Sequence, residues 1–556
     1  MLALVLAVSC SGPGLPAAQP SSASAPAATA SSTSLELSSS ESVSEPALST
    51  VETTVPDTVA AAAEGSIVVD VGGASRPFDR RLLGTNAPAW IGPEKLRDPR
   101  FRQIIRDLGT TVLRMPGGSW SGSYDWLACE NGDANGCHWT WAAKPSDYIS
   151  FLAATGAEGM WTVNFNGTAQ QAAALVAFFN GSIDDKRVIG QDRNGKDWGT
   201  VGQWAALRSD HGHRDPYSVK YWEVGNEVYG AKPEQASGCA SFGWEDVWTC
   251  DGTEYVNGND HHDGYLKFRD AMRAVDSSIQ IGAVGVGGDQ SGWGFFGEKV
   301  IRGVADLLDF YIVHDYGFDN TPSSDVALAR PEHWFPGLMT GVRAVLDDQN
   351  PTRSVPVAIT EYNLFSFADR DTTGMMSRSV NALYVADSIG EMAEEGVTMA
   401  NQWDLVNGTT GSEGDYGLLD PETSEPMPQY YALALWSKFG GQLLPISVGF
   451  DTEFTLSAHA GRDDRGTITL LVVNKTDVAQ TASIDLEGST TTYSAKQDVV
   501  TTEALDATSV DYNGSTARPT DLATLPAQNL GSIKGGMMTH SFDPFSITLL
   551  QFVPSG

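Results

Sequence analysis

Basic residues are scarce in this chain of 556 residues: 35 Lys and Arg stand against 69 Asp and Glu, a formal net charge of −34. Phosphate backbones are bound largely through Lys and Arg with release of counterions, so nucleic acid is not an expected partner. Long apolar runs are lacking too. None approaches the ~18 to 20 residues that cross a bilayer as a helix, so no membrane-spanning helix is expected. Only five cysteines occur, too few for a small disulfide scaffold. Residues 11–64 hold no Lys, Arg or aromatic side chain. Their Ser, Ala, Thr and Pro cannot bury apolar surface against themselves, so 11–64 is expected to be a disordered tether.

Hydrophobic residues make up 41% of the chain, with 15 Trp, 16 Tyr and 21 Phe. They can fill a large core and still furnish a cleft. The length exceeds a typical domain of about 100 to 150 residues, so two or three folded units are expected. Residues 1–10, MLALVLAVSC, form a short apolar run that reads as an export signal. Its end, Ala7-Val8-Ser9-Cys10, resembles a bacterial lipoprotein signal, which implies lipidation and membrane attachment at Cys10; an ordinary secretory signal is the alternative. Either way the protein is expected outside the cytoplasm or at the cell surface. The other four cysteines form two near pairs, Cys129 with Cys137 and Cys239 with Cys250, each in a Gly/Asn/Asp-rich loop. Two disulfides are predicted, because a zinc site needs tighter spacing.

From residue 65 to about 440, short apolar or β-branched runs alternate with helical patterns. The runs are RRLLGTN (80–86), TTVLRM (110–115), GMWTVNF (159–165), VKYWEVGN (219–226), SIQIGAVG (278–285), LDFYIVHDY (308–316), VPVAITEY (355–362) and GVTMANQW (396–403). Intervening segments such as 169–179, 264–276 and 379–395 carry apolar residues three and four apart. Eight strand-helix units predict an α/β fold, a (β/α)8 TIM barrel over 65–440. After 440 short strands follow one another without helices, which predicts a β-sandwich over 441–556. The early strand near 67–71 is a candidate to join it.

In such a barrel the C-terminal strand ends form the active face. Glu227 follows the fourth run and Glu361 ends the seventh, so both carboxylates are expected over one mouth. Glycosidic-bond hydrolysis requires such a pair, one protonated to assist the leaving group and one ionised to attack the anomeric carbon. Glu227 is assigned as acid/base and Glu361 as nucleophile. A separation of about 5 to 5.5 Å would mark a retaining enzyme, and about 6.5 to 9.5 Å an inverting one. His211 with His213, and His261 with His262, lack a third ligand at suitable spacing, so no metal or other cofactor is expected.

Five segments together resemble the family-51 glycoside hydrolases, the α-L-arabinofuranosidases of clan A. They are 206–230 (ALRSDHGHRDPYSVKYWEVGNEVYG), 113–126 (LRMPGGSWSGSYDW), 313–317 (VHDYG), 359–363 (ITEYN) and 400–407 (ANQWDLVN). The resemblance spreads over about 300 residues in the family's order. It implies a retaining mechanism through a covalent glycosyl-enzyme, with Glu227 as acid/base and Glu361 as nucleophile. It also puts the sugar 2-hydroxyl contact on Asn226, the arginine beside the nucleophile on Arg114, and the sixth-strand contacts on His314 and Tyr316.

Three positions depart from that pattern. No glutamate occurs at Gly84-Thr85-Asn86, Ser119 stands where the family has asparagine, and Asp404 where it has glutamine; all three positions touch the glycone pocket in the family, so the resemblance implies a substrate contact at Asp404. The machinery for cleavage is therefore better specified than the sugar. Trp120, Trp126, Trp139 and Trp141 offer flat faces for sugar rings, with Trp120 the candidate substrate contact. The leading expectation is an α-L-arabinofuranosidase acting on plant-type polysaccharide or its oligosaccharides. The alternatives are an endo-β-glycanase acting on glucan, xyloglucan or xylan, and a non-catalytic polysaccharide-binding surface lipoprotein. The sequence leaves the oligomeric state open.

Overall fold

The computed structural model describes residues 62–231, 244–287, 291–350, 353–408 and 414–555. The expected signal, Cys10 and nearly all of the tether lie outside them, as does Cys239. Eight parallel strands close into a barrel: β1 (Gly84–Asn86), β2 (Val112–Met115), β3 (Glu158–Val163), β4 (Tyr221–Val224), β5 (Gln280–Val284), β6 (Phe310–Phe318), β7 (Val357–Phe365) and β8 (Met399–Gln402). Each lies within one of the eight sequence runs or overlaps it. The strands read as apolar runs because helices cover their outer face while the barrel interior buries the other.

The helices follow ordinary capping chemistry. In Pro99–Leu108, Asp98 caps the first turn by accepting from the Arg100 N–H, and Pro99 occupies a position that needs no N–H. Phe101, Ile104, Ile105 and Leu108 form the buried stripe, and Gly109 ends the helix at φ +77°. Among the described residues no helix is long and apolar enough to cross a membrane.

The barrel interior changes character with height. Val112, Met160, Tyr221, Ile312 and Ala358 form part of an apolar plug. Two residues further along the same strands stand Arg114, Thr162, Glu223, His314 and Thr360. Side chains of one strand face recur every second residue, so a polar tier sits directly above the plug. The register of β6 against β7 shifts between Val313 and His314, which brings His314 opposite Glu361. Such irregularities re-aim side chains at functional rims.

The all-β module has two sheets around one apolar core that includes Ile67, Val69, Leu470, Ile484, Tyr493 and Phe552. The smaller sheet runs Ile446–Val448, Ser66–Asp70, Gln480–Glu487, Met537–Phe542. The strand preceding the barrel is thus an interior member of this sheet, parallel to Gln480–Glu487. Strand Leu456–Arg462 meets the barrel helix Ser379–Glu394 through polar contacts. Ser457 Oγ donates to Asp387 (2.5 Å), His459 Nδ1 lies 2.9 Å from Glu394, and the buried Lys475 Nζ lies 2.7 Å from Asp387.

Candidate active site

Arg114, on β2, is fully buried and organises the polar tier. Its Nε donates to Glu223, its Nη1 to Asn86 (2.8 Å) and to Glu361 (2.7 Å), and its Nη2 to Asn226 (2.7 Å). Buried guanidinium survives only with such pairing, and the carboxylates around it hold its proton more firmly than usual. Burial opposes a charge on Glu223, but Arg114 and His314 outweigh it and hold this carboxyl down at about 2. Glu361 shares its two oxygens between Arg114 and the Tyr316 hydroxyl, which donates at 2.8 Å. Burial raises the Glu361 carboxyl, and the Glu227 charge adds to this, against the pull of His314 and Arg114.

Glu227 follows β4 at φ +37°, the left-handed region a non-glycine residue seldom occupies. Residues held there cost about 1 to 3 kcal/mol and concentrate at functional sites. Its Oε1 lies 2.8 Å from His314 Nδ1 and accepts from the Tyr229 hydroxyl at 3.2 Å. Its Oε2 accepts from Trp244 Nε1 at 2.5 Å. Burial works against the Glu227 charge, yet the His314 contact prevails and keeps this carboxyl below its ordinary value. Burial likewise disfavours charge on His314, but Glu361, Glu223 and Glu227 lift it to about 10, so the imidazole holds a proton at neutral pH.

One oxygen of Glu227, one of Glu361 and one nitrogen of His314 lie within 4.8 Å of one another. They open into a cavity of about 670 Å³ walled by Asn226, Tyr229, Trp244, Trp293, Trp403 and Tyr416 among others. Gly118, at φ +63°, forms part of the wall; a Cβ there would stand 2.4 Å from the Trp403 ring. Glu227–His314–Glu361 and Asp387–Glu391–His459 have the composition of metal ligands. In each group a cation is already in place, Arg114 on Glu361 and Lys475 on Asp387.

Asn226, His314, Tyr316, Glu227 and Glu361 all line the cavity, and Arg114 lies directly behind them. Trp120 does not line it. It stacks on Trp139 at 4.0 Å and meets Trp90 edge-on, and Trp90 in turn meets Trp403 of the wall. Trp126 is core, while Trp141 is 42% exposed. Asp404 is also displaced from the cavity. It is fully buried, both carboxylate oxygens lack a hydrogen-bond partner among the described residues, and burial followed by Asp415 and Glu361 drives its carboxyl well above the usual range. Asn86 is committed to Arg114 and to the carbonyls of Thr360, Asn401 and Gln402.

Cys129 and Cys137 form a disulfide in the segment after β2; Cys129 lies in the short helix Trp126–Asn131 rather than in a loop, and Cys137 follows it. Cys250 is buried, and its expected partner Cys239 lies outside the described residues. His211 Nδ1 pairs with Glu130, and His213 Nε2 with Ser150. Sequence reasoning missed Glu223, Trp244 and Glu245. Glu223 was legible from strand alternation, because it stands two residues beyond Tyr221 on the inward face. Trp244 and Glu245 come from a loop without periodicity.

Residues 104–320 match the family model described as the alpha-L-arabinofuranosidase 1 domain. Probable alpha-L-arabinofuranosidase C of Aspergillus fumigatus is 24% identical over 253 residues, 41% of this chain and 42% of the relative. The chain thus aligns with less than half the length of that relative. The fold resembles the alpha-L-arabinofuranosidase of Thermotoga maritima, solved with arabinose, at a TM-score of 0.67 and 19% identity, covering 88% of this chain and all of that one. It also resembles a Paenibacillus polymyxa xyloglucanase of glycoside hydrolase family 44 at 0.56 and 14% identity, with 88% and 100% covered.

Proposed function

We propose that this chain is a retaining glycoside hydrolase, with Glu361 as nucleophile, Glu227 as acid/base and α-L-arabinofuranosides as substrates. The observation that carries the reading is the approach of a Glu227 oxygen and a Glu361 oxygen to within 4.8 Å across one cavity. That proximity favours the short carboxyl separation of about 5 to 5.5 Å found in retaining enzymes. The similarity to arabinofuranosidases supports the choice of sugar.

Arg114 and Tyr316 fix the Glu361 carboxylate, whose free lone pair attacks the anomeric carbon. The glycosidic oxygen leaves with a proton from Glu227, and an ester joins Glu361 to the sugar. A water then attacks the anomeric carbon, gives its proton to Glu227, and the Glu361–carbon bond breaks with retention. His314 Nδ1 lies 2.8 Å from Glu227, so the two groups share one proton-bearing contact at the leaving-group side. The Cys129–Cys137 disulfide supports an oxidising location, and hence export with attachment through Cys10 or free secretion.

The test is hydrolysis of p-nitrophenyl α-L-arabinofuranoside, with Glu361→Ala as blank and external azide as a substitute nucleophile. Azide should restore turnover with an inverted glycosyl azide, and Glu227→Ala should keep activity only on well-activated leaving groups. Identical defects in the two variants on every substrate would sink the roles. The exposed Trp244 and Phe367 at the cavity wall favour a second reading, an endo-β-glycanase holding a polymer on aromatic faces. Falling viscosity of xyloglucan, β-glucan or xylan without arabinoside cleavage would select it.

A further inference from the structure

Glu245 is fully buried beside the cavity and takes no part in the steps above. Its backbone is tied to the turn Val228–Gly230 that follows β4 and Glu227: the Glu245 N–H donates to the Gly230 carbonyl at 2.9 Å, and residues 231 and 245 form a parallel bridge. Its Oε1 accepts from Asn226 Nδ2 at 2.7 Å and from Ser119 Oγ at 2.6 Å, while Oε2 has no hydrogen-bond partner among the described residues. Asn226 and Ser119 both line the cavity.

The orientation of the Asn226 amide follows from this pairing. Arg114 can only donate, so the group facing its Nη2 must be Oδ1. Nδ2 then faces Glu245, which takes one of its two hydrogens. One hydrogen remains to serve the cavity. Arg114 alone would hold the oxygen and leave the amide plane free to turn about it. With Glu245 at the other end, the plane is fixed. A continuous hydrogen-bonded line therefore runs from Glu361 through Arg114 and Asn226 to Glu245.

We infer that Glu245 is a positioning residue that locks the Asn226 amide so that its remaining N–H meets one hydroxyl of the sugar ring. The inference rests on the glycosidase reading and adds a specificity determinant to it. Burial, and next the Glu227 charge, push the Glu245 carboxyl up to about 8, so near neutrality it is chiefly the uncharged acid. A glutamine is then its close match in shape, charge and accepting oxygen. Retaining a neutral acid here also avoids a further negative charge beside Glu227 and Glu361.

The experiment is a double-mutant cycle on whichever aryl glycoside the wild type cleaves, together with the mono-deoxy analogues of that glycoside. Glu245→Ala should lower kcat/KM by about ten- to a hundredfold, the scale of one misplaced buried hydrogen bond to a substrate hydroxyl. Glu245→Gln should remain within about threefold of wild type. In an Asn226→Ala background, Glu245→Ala should add nothing, because it acts through the amide already removed. On one mono-deoxy analogue the Glu245→Ala penalty should vanish. Additive losses, equal losses on every analogue, or no loss in Glu245→Ala would each overturn the inference while leaving the glycosidase reading intact. A wild type inert on all aryl glycosides and polymers would remove the reading and the inference together. Thermal melts of each variant separate misplacement from misfolding.

Discussion

His314 stands between the two candidate catalytic carboxylates, with Nδ1 2.8 Å from Glu227 Oε1 and 3.6 Å from Glu361 Oε2. Its other nitrogen lies 3.0 Å from Thr360 Oγ1, which in turn donates to Glu223 at 3.0 Å. The imidazole is thus fixed at both ends. Its proton belongs to the cluster as a whole, and the pH profile should report values of the cluster rather than of single residues.

Replacing His314 by Asn keeps a donor toward Glu227 but cannot store a proton. In the wild type the alkaline limb of kcat/KM should reflect loss of the last proton in the Glu227–His314 pair, which the imidazole retains up to about pH 10. In His314→Asn that proton rests on Glu227 alone, so the alkaline limb should move to lower pH. The profile on p-nitrophenyl α-L-arabinofuranoside measures this, and an unmoved limb would refute the proton-holding role.

Asp404→Asn should stabilise the protein increasingly as pH rises. The folded carboxyl titrates well above the unfolded one, so above about pH 4 the unfolded chain ionises while the folded chain stays neutral. Folding then loses about 1.4 kcal/mol for each pH unit until the folded group also ionises. Asparagine removes that slope. Denaturant melts of both proteins between pH 5 and 8 should diverge, and a constant difference would contradict the burial of an unpartnered acid.

At the junction of barrel and sandwich, Lys475→Met should destabilise by about 3 kcal/mol, because Asp387 would lose its direct cation and keep only His459, whose Nε2 lies 3.5 Å away. Adding Asp387→Asn should recover much of the loss. Chemical denaturation of the single and double variants tests the coupling, which vanishes if the two effects simply add.

Neither Cys129 nor Cys137 is among the cavity-lining residues, and their bridge closes a loop with a sequence separation of 8. The chain-entropy cost of so short a loop is about 2 to 3 kcal/mol. A Cys129→Ser/Cys137→Ser protein should show that loss in equilibrium unfolding, whereas a loss near zero would mean that the unfolded chain is not constrained there.

All eight barrel strands were legible because parallel strands buried on both faces leave continuous apolar runs in the sequence. Glu227 and Glu361 were singled out because each was read as closing an apolar run; Glu227 does follow β4, but β7 continues to Phe365, so Glu361 lies at the middle of its strand rather than at its end. Trp120 was offered for its flat face near three other tryptophans in the sequence; in the structure it stacks on Trp139 and meets Trp90, which in turn meets Trp403 of the cavity wall. Asp404 follows the last barrel strand and suggested a contact with substrate, but the ring of Trp403 faces the cavity and the acid is withdrawn into the core. Glu245 could not be placed at all. Its position depends on a bridge between residues 231 and 245, a pairing that no sequence pattern announces.

Strand Ser66–Asp70 lies between Ile446–Val448 and Gln480–Glu487 in the smaller sheet. During synthesis it emerges first and must wait for nearly four hundred further residues before its neighbours exist. A fragment cut at residue 441 would lose an interior strand together with Ile67 and Val69, leaving two unpaired strand edges and an opened apolar core. The sandwich therefore cannot be harvested as an independent module by a single cut. Any circularly permuted or truncated version must carry residues 66–70 along with it.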